Sequence, residues 1–351
     1  VFETLKVFCP SYQEAIVWGF DYPQVVDLET ALSQPLRVAA LPVFCDRPTE
    51  FSYKPEFEKL DLSQFDIVLF TDIEFRRQEE LIQWINATNA KNWLLCVGGL
   101  HAHETLSSRT VYRPTWSFSF LQWNPPRDDF PLERPFLFDC LCGTRRQHRD
   151  YVMLALEKHG LLDQSIATYR DVFVGGEISQ TPEHVGKEFP GQQLNWPYVS
   201  ANLDPTWEVK ENLDNSVSGI VPWEIYNRCY YSILVETLNN GNCYLMAEKI
   251  GKCLLARRMF VHFGVSNWLK TLQSFGFQTF DGVLDESYDS IEDNITRWRL
   301  AFEQVIWLSK QDPKKILTQV KPILDHNHAR LYAFREEKFD EMRAMILDHL
   351  K

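Results

Sequence analysis

FDIVLFTDIEFRRQEELIQWINATNAKNWLLCVGG, residues 65 to 99, holds the clearest structural unit of the chain. Asp66 to Thr71 is an apolar run of strand length, and Trp93 to Val97 is a second, closed by Gly98-Gly99. Between them Leu81, Ile82 and Ile85 recur at helical spacing in a segment from about Arg76 to Asn86. Two strands joined by one helix make a crossover, so the spacing predicts a parallel βαβ unit. Outward toward the N-terminus, Leu5 to Phe8 and Val38 to Phe44 read as further strands, which extends the unit into an alternating α/β series.

In the other direction the pattern breaks from Ser107 to Pro135, where Trp116, Trp123, Pro125, Pro126, Arg127-Asp128-Asp129 and Pro131 fall, and a domain boundary is expected there. A second series starts at Phe136. Phe136, Phe138, Cys140 and Cys142 alternate, Gly143 closes the strand, and a helix from about Gln147 to His159 stops at Gly160. Gly175 to Asp214 is polar and reads as long loops. A strand from Tyr231 to Val235, a helix from about Ala247 to Arg257, a strand from Met259 to Phe263 and a helix through Trp268, Leu269 and Leu272 follow. Beyond Glu286 amphipathic helical stretches run from Ile291 to Leu308, Pro313 to Leu324 and Glu336 to Leu350. The expected division is 1–130, 131–310 and a helical segment 311–351.

The composition agrees with two domains: 351 residues, 45% of them hydrophobic and 14% aromatic, can bury a large core. A net charge of -12, from 48 acidic against 36 basic residues, excludes a surface built to neutralise many phosphates of a nucleic acid but leaves room for a local basic pocket. The eight cysteines form no CxxC pair, so neither a zinc ribbon nor a disulfide scaffold is indicated; buried reduced thiols and a cytoplasmic location are expected. No window approaches the roughly 18 to 20 apolar residues of a membrane span, and no basic-then-apolar leader opens the sequence.

Two clusters carry chemistry. Gly143-Thr144-Arg145-Arg146-Gln147-His148-Arg149 lies where a strand ends and a helix starts, the place where free N–H groups meet an anion. Arginines there suit a diphosphate because the guanidinium grips two oxygens at once; the plainer reading is a solvated basic turn. Glu236 ends the run Ser232 to Val235, and Glu248-Lys249 opens the next helix. Carboxylates at those positions can accept from ribose or sugar hydroxyls, and the lysine can neutralise phosphate; the alternative is a surface pair between Glu248 and Lys252.

The segments CGTRRQHR, YSILVET, AEKIGKCLLARRMFVHFG and GFQTF...DESYD resemble the donor-binding half of inverting GT-B glycosyltransferases, nearest to the alpha-1,3-fucosyltransferase family and its viral and bacterial relatives, over residues 136 to 290. The sequence differs from that family at VETLNN, where the family has Phe-Glu-Asn, and at ARRMFVHFG. The resemblance implies an α/β fold of the GT-B class: two Rossmann-like domains facing across a cleft, acceptor in the first and donor in the second, with a helical C-terminal tail. It implies a nucleotide sugar, a GDP-sugar such as GDP-fucose first, transferred with inversion to a glycan hydroxyl without an essential metal or other cofactor. Arg145 or Arg149 would contact diphosphate, Glu236 the sugar or ribose, and Glu248 and Lys249 ribose and phosphate.

An inverting transfer needs a base for the acceptor proton. Asp72 and Glu74 after one strand, and His101, His103 and Glu104 after Gly98-Gly99, are the candidates; the GGLHAHE turn is favoured because glycine permits close approach. His101 and His103 have no third partner for a metal. Asp285 to Asp289 reads as helix capping ahead of the long helix, with Tyr288 a stacking platform, and Trp223 and Tyr226 are core aromatics that also suit a nucleotide base. Two other functions use the same features: a sugar-nucleotide epimerase or hydrolase, and a non-enzymatic carbohydrate-binding scaffold.

Overall fold

The computed structural model describes residues 4–9, 18, 20, 22–42, 60–72, 77–102, 104–118, 121, 127, 130–143, 145–169, 183–194, 198–201, 203, 220–239 and 243–350. Glu74, His103, Thr144 and most of Gly175 to Asp214 lie outside the described residues. The chain divides into two compact units, one made of Val1–Thr115 with Phe334–Lys351, the other of Trp116–Ala333.

The first unit is built on β1 (Val7–Phe8), β2 (Val25–Val26), β3 (Val38–Pro42), β4 (Ile67–Asp72) and β5 (Trp93–Val97), with the short β6 (Gly99–His101) lying outside their sheet and β7 (Thr110–Tyr112) completing it. The order is β2-β1-β3-β4-β5-β7 and every pairing is parallel. Every residue of β3, β4 and β5 is buried, which is why those runs are continuously apolar rather than alternating. α1 (Leu28–Leu32) starts where the Asp27 carboxylate accepts from Thr30 N at 2.7 Å. α2 (Gln78–Asn86) is the expected crossover between β4 and β5, burying Leu81 and Ile85. The unit's core gathers Val7, Trp18, Ile67, Leu69, Leu94 and Cys96, together with Met342 and Ile346 from the far end of the chain.

α3 (Thr115–Phe118) precedes the second unit's β8 (Phe136–Cys142), α4 (Gln147–Lys158), β9 (Ser165–Tyr169), α5 (Glu183–Gly186), β10 (Tyr198–Val199), α6 (Trp223–Tyr226) and β11 (Cys229–Val235). Then come β12 (Cys243–Leu245), α7 (Glu248–Leu255), β13 (Met259–Phe263), α8 (Trp268–Ser274), a 3-10 turn at Glu286–Ser290, α9 (Asn294–Leu308) and α10 (Pro313–His349). The sheet order is β10-β9-β8-β11-β13, parallel except for β10. β8 leads to β9 on one side, and the chain then returns to place β11 on the other. The order therefore reverses between β8 and β11, the crevice where open α/β sheets receive ligands. Beneath it, Arg258 bridges Asp139 at 2.6 Å and Ser232 at 3.1 Å, so the buried charges satisfy one another.

Both halves are α/β with Rossmann-like parallel sheets and a helical C-terminus, but the boundaries differ from those expected. The division falls at 115/116 instead of 130, and Ser117 is tied to the second unit, its Oγ 2.8 Å from both Met246 O and Ala247 O. Residues 311–351 are no separate segment. α10 runs unbroken through Pro322, and its part from Phe334 onward belongs to the first unit, where Met342 and Ile346 are buried. Asp285 caps the 3-10 turn at Ser287 N, 3.0 Å away, while α9 is capped by Asp293 at Thr296 N, 2.8 Å away. Among the described residues no helix is long and apolar enough to cross a membrane.

Candidate functional site

The switch point brings together most of the second unit's candidate residues. β8 ends at Cys142 and α4 begins five residues later, where the side chain of its N-cap residue, Arg146, makes no capping bond. On its first turn, His148 and Arg149 both reach across to the end of β11: His148 Nε2 lies 2.6 Å and Arg149 Nη2 3.3 Å from Glu236 O. A carbonyl only accepts, so Nε2 carries the proton of His148. Burial, then Arg149, keeps that imidazole neutral, well below its ordinary pKa. Arg149 and Glu236, each expected at the donor, thus meet through a backbone oxygen.

Glu236 itself is 3% exposed. One carboxyl oxygen accepts from Thr237 N at 3.3 Å, and Oε1 has no hydrogen-bond partner among the described residues. Burial pushes its pKa up to about 7, against the pull of Lys249 and with a small push from Glu248. Lys249, at the start of α7, donates to Thr237 Oγ1 at 3.1 Å and to Glu248 Oε1 at 3.0 Å. Burial would raise Glu248, but Lys249 and Lys252 outweigh it and bring the carboxyl down to about 2. One face of the crevice therefore offers a neutralisable carboxyl, an ionised carboxylate, an ammonium group and a guanidinium within one hydrogen-bonded chain.

Arg145 is differently employed. Its Nε and Nη2 each lie 3.2 Å from an oxygen of Asp150, a fully buried carboxylate that also receives the Tyr169 hydroxyl. The basic turn is thereby anchored to its own helix, and Tyr169 ties it to β9 through Arg146 N at 3.2 Å. Tyr226 is a core residue: it is 5% exposed, its hydroxyl meets Cys253 Sγ at 3.9 Å, and Arg258 sits 5.1 Å over its ring. At that burial the ring belongs to the core and is not presented as a surface platform for a nucleotide base. Trp223 and Tyr288 are buried likewise.

In the first unit, Asp72 ends β4 and is buried, and His101 ends β6 half-buried. Glu104 serves the scaffold: its carboxylate accepts from Gln78 N at 3.0 Å, capping α2 from outside. Gln78 in turn holds the same turn through Ser107 N at 2.9 Å.

A cavity of about 360 Å³ in the second unit is lined by Leu269, Lys270, Asp281, Asp285, Glu286 and Asp289 among others. Three of these carboxylates are spent on backbone N–H groups: Asp285 on Ser287, Glu286 on Phe280 at 2.8 Å, and Asp289 on Leu269 and Lys270 at 3.0 and 3.1 Å. Asp289 so starts α8, where Asn267 at φ 57 makes no side-chain cap. Cys140 and Cys142 are buried thiols with sulfurs 3.9 Å apart. Among the described residues no group of three His, Cys, Asp or Glu suits a metal.

Sequence reading assigned no role to His148, Thr237, Asn239 or His262. Asn239 and His262 are 5% and 2% exposed, and Asn239 Nδ2 and His262 Nε2 have no partner among the described residues. Burial, and then Arg297, holds His262 neutral. A histidine inside an otherwise apolar strand was the one available signal.

No protein-family model and no curated protein matches the chain. Among solved structures it is similar to the T4 phage protein described as BGT in complex with UDP and Mn2+, at 11% identity and TM-score 0.42, over 96% of this chain and 99% of that one. A likeness at this level carries no residue roles across.

Proposed function

We propose that the chain is a glycosyltransferase of the GT-B class whose second unit binds a nucleoside-diphosphate sugar at the β8/β11 switch point. One observation carries this reading: a buried carboxyl with an unpartnered oxygen, Glu236, stands beside the Lys249–Glu248 pair where the strand order reverses. Lys249 faces the diphosphate, Glu248 accepts from ribose, and Glu236 meets the sugar. Arg149 acts by fixing the end of β11, and Arg145 by holding the turn.

In the reaction the bond from sugar C1 to the diphosphate oxygen breaks, the acceptor hydroxyl oxygen bonds to C1, and its proton passes to a base. Charge gathers on the departing diphosphate, so the preorganised Lys249 cation at the start of α7 stabilises the transition state more than the ground state. Inversion follows if acceptor and diphosphate lie on opposite faces of the ring, and protein cations supply the charge that a metal supplies elsewhere. Among the described residues His101 and Asp72 are the base candidates left, since Glu104 is committed to α2. A GDP-sugar, GDP-fucose first, is the donor that the sequence resemblance suggests, and a glycan hydroxyl the acceptor.

A thermal-shift panel of UDP, GDP, CMP and their sugars, on wild type and Lys249→Ala, tests the reading because a ligand that binds the native state raises its melting temperature. A shift selective for one nucleotide and lost in the variant is expected. No shift with any nucleotide refutes it.

A further inference from the structure

The carboxyl ends of β11 and β13 hold three buried polar atoms with no partner among the described residues: Glu236 Oε1, Asn239 Nδ2 and His262 Nε2. The register places Glu236 and His262 on one face of the sheet, and the backbone next to Asn239 approaches the same spot through Leu238 O. Leu234 pairs with His262 and Val235 with Phe263, and Glu236 N–H continues the ladder to Phe263 O at 2.9 Å. Paired residues of parallel strands share a face, so the even-numbered positions Leu234 and Glu236 lie on the face of His262 and Gly264.

Gly264 shows where the imidazole lies. A Cβ there would stand 2.7 Å from both Cε1 and Nε2 of His262, and 3.3 Å from Leu238 O. The ring is therefore folded over Gly264 toward the ligand edge of the sheet, against the segment that carries Asn239. Its other side is braced by Trp268, stacked at 4.1 Å and 15°, whose own Nε1 is tied to Leu245 O at 3.2 Å. A side chain packed that firmly cannot swing out to find water, so Nε2 waits for a partner that arrives from the crevice.

We infer that Glu236, Asn239 and His262 form the hydroxyl-reading wall of the sugar subsite, so that the ring being transferred is recognised through at least two of its hydroxyls. The chemistry favours hydroxyls over phosphate. An amide N–H donates, a carboxylate accepts, and an imidazole nitrogen does either according to tautomer, a mixed set that matches groups which both give and accept. Phosphate oxygens only accept, and neither Asn239 nor the neutral His262 brings a charge to neutralise them. The assignment rests on the nucleotide-sugar reading above.

Calorimetric titration with UDP, GDP, UDP-glucose and GDP-fucose separates the two. His262→Phe keeps the stack on Trp268 and deletes the nitrogen; Asn239→Ala is the second variant should the first fail to fold. Each is expected to leave the affinity for the free nucleoside diphosphate within about twofold of wild type. Each should weaken the sugar conjugate about tenfold, as loss of a hydrogen bond to a buried group does. Equal weakening of both ligands, or of neither, overturns the assignment while leaving the nucleotide reading intact. Wild type that binds none of the four ligands overturns both.

Discussion

Glu236→Gln should stabilise the protein, and only at higher pH. Burial holds the Glu236 carboxyl near pH 7 instead of its ordinary 4.5. At about 1.4 kcal/mol per tenfold in proton affinity, that gap amounts to about 3 kcal/mol. Below pH 4.5 the group is neutral in folded and unfolded chains alike, so Gln and Glu are equivalent. As pH rises from there toward 7, the unfolded chain releases its proton while the native state keeps it, and the wild type loses stability. Above 7 both states are ionised and the deficit stays constant. Gln retains an oxygen for Thr237 N–H and carries no charge, so the variant escapes the loss. At about 2 to 4 °C per kcal/mol for a unit of this size, it should melt roughly 6 to 12 °C higher than wild type at pH 8 and level with it near pH 4.5. Calorimetric melts of both proteins across that range, without ligand, give the comparison. A difference that is flat with pH, or a variant that melts lower at pH 8, would refute the account of Glu236 as a carboxyl kept in place at the expense of stability.

Three other substitutions distinguish scaffold from site. Arg145→Ala strands the fully buried Asp150 and should cost about 3 to 5 kcal/mol in chemical denaturation, part of it recovered by adding Asp150→Asn. Tyr226→Phe removes only a hydroxyl against Cys253 Sγ, so its melting temperature should stay close to wild type and its nucleotide affinity, by titration, should be unchanged. Glu104→Ala should cost about 1 kcal/mol through the lost cap on α2, while Glu104→Gln keeps the acceptor and full turnover; loss of turnover in the Gln variant would return Glu104 to the list of bases.

The strands and crossovers were legible where a local pattern decides them. Trp93–Val97 and Met259–Phe263 fall at the residues read from the sequence, because buried parallel strands are continuous apolar runs between breakers. The placement of Glu236 beside Arg149 was partly legible, since both follow strand ends. That β8 and β11 are neighbours was not, because strand order rests on pairings some 90 residues apart, such as Tyr231 with Phe138. A separation of 119 residues likewise hid the Arg258–Asp139 bridge. Arg145 and Asp150 stood only five residues apart, yet the arginines were read for what they could offer a ligand and not for what already held them. The continuity of α10 was obscured by Pro322, whose missing N–H usually ends a helix, and by the mixed run from Asp325 to Arg335.

α10 also has a consequence for how the protein is made. Met342 and Ile346, both fully buried, complete a core whose other members, among them Val7, Ile67 and Leu94, are translated first. Until the residues beyond Phe334 are made, the core of the first unit lacks Met342 and Ile346, while the second unit is contiguous from Trp116 to Ala333 and can close before them. The half synthesised first is thus the half that finishes last. A chain broken off before Phe334 would leave its N-terminal apolar residues to whatever chaperone or neighbouring chain reached them.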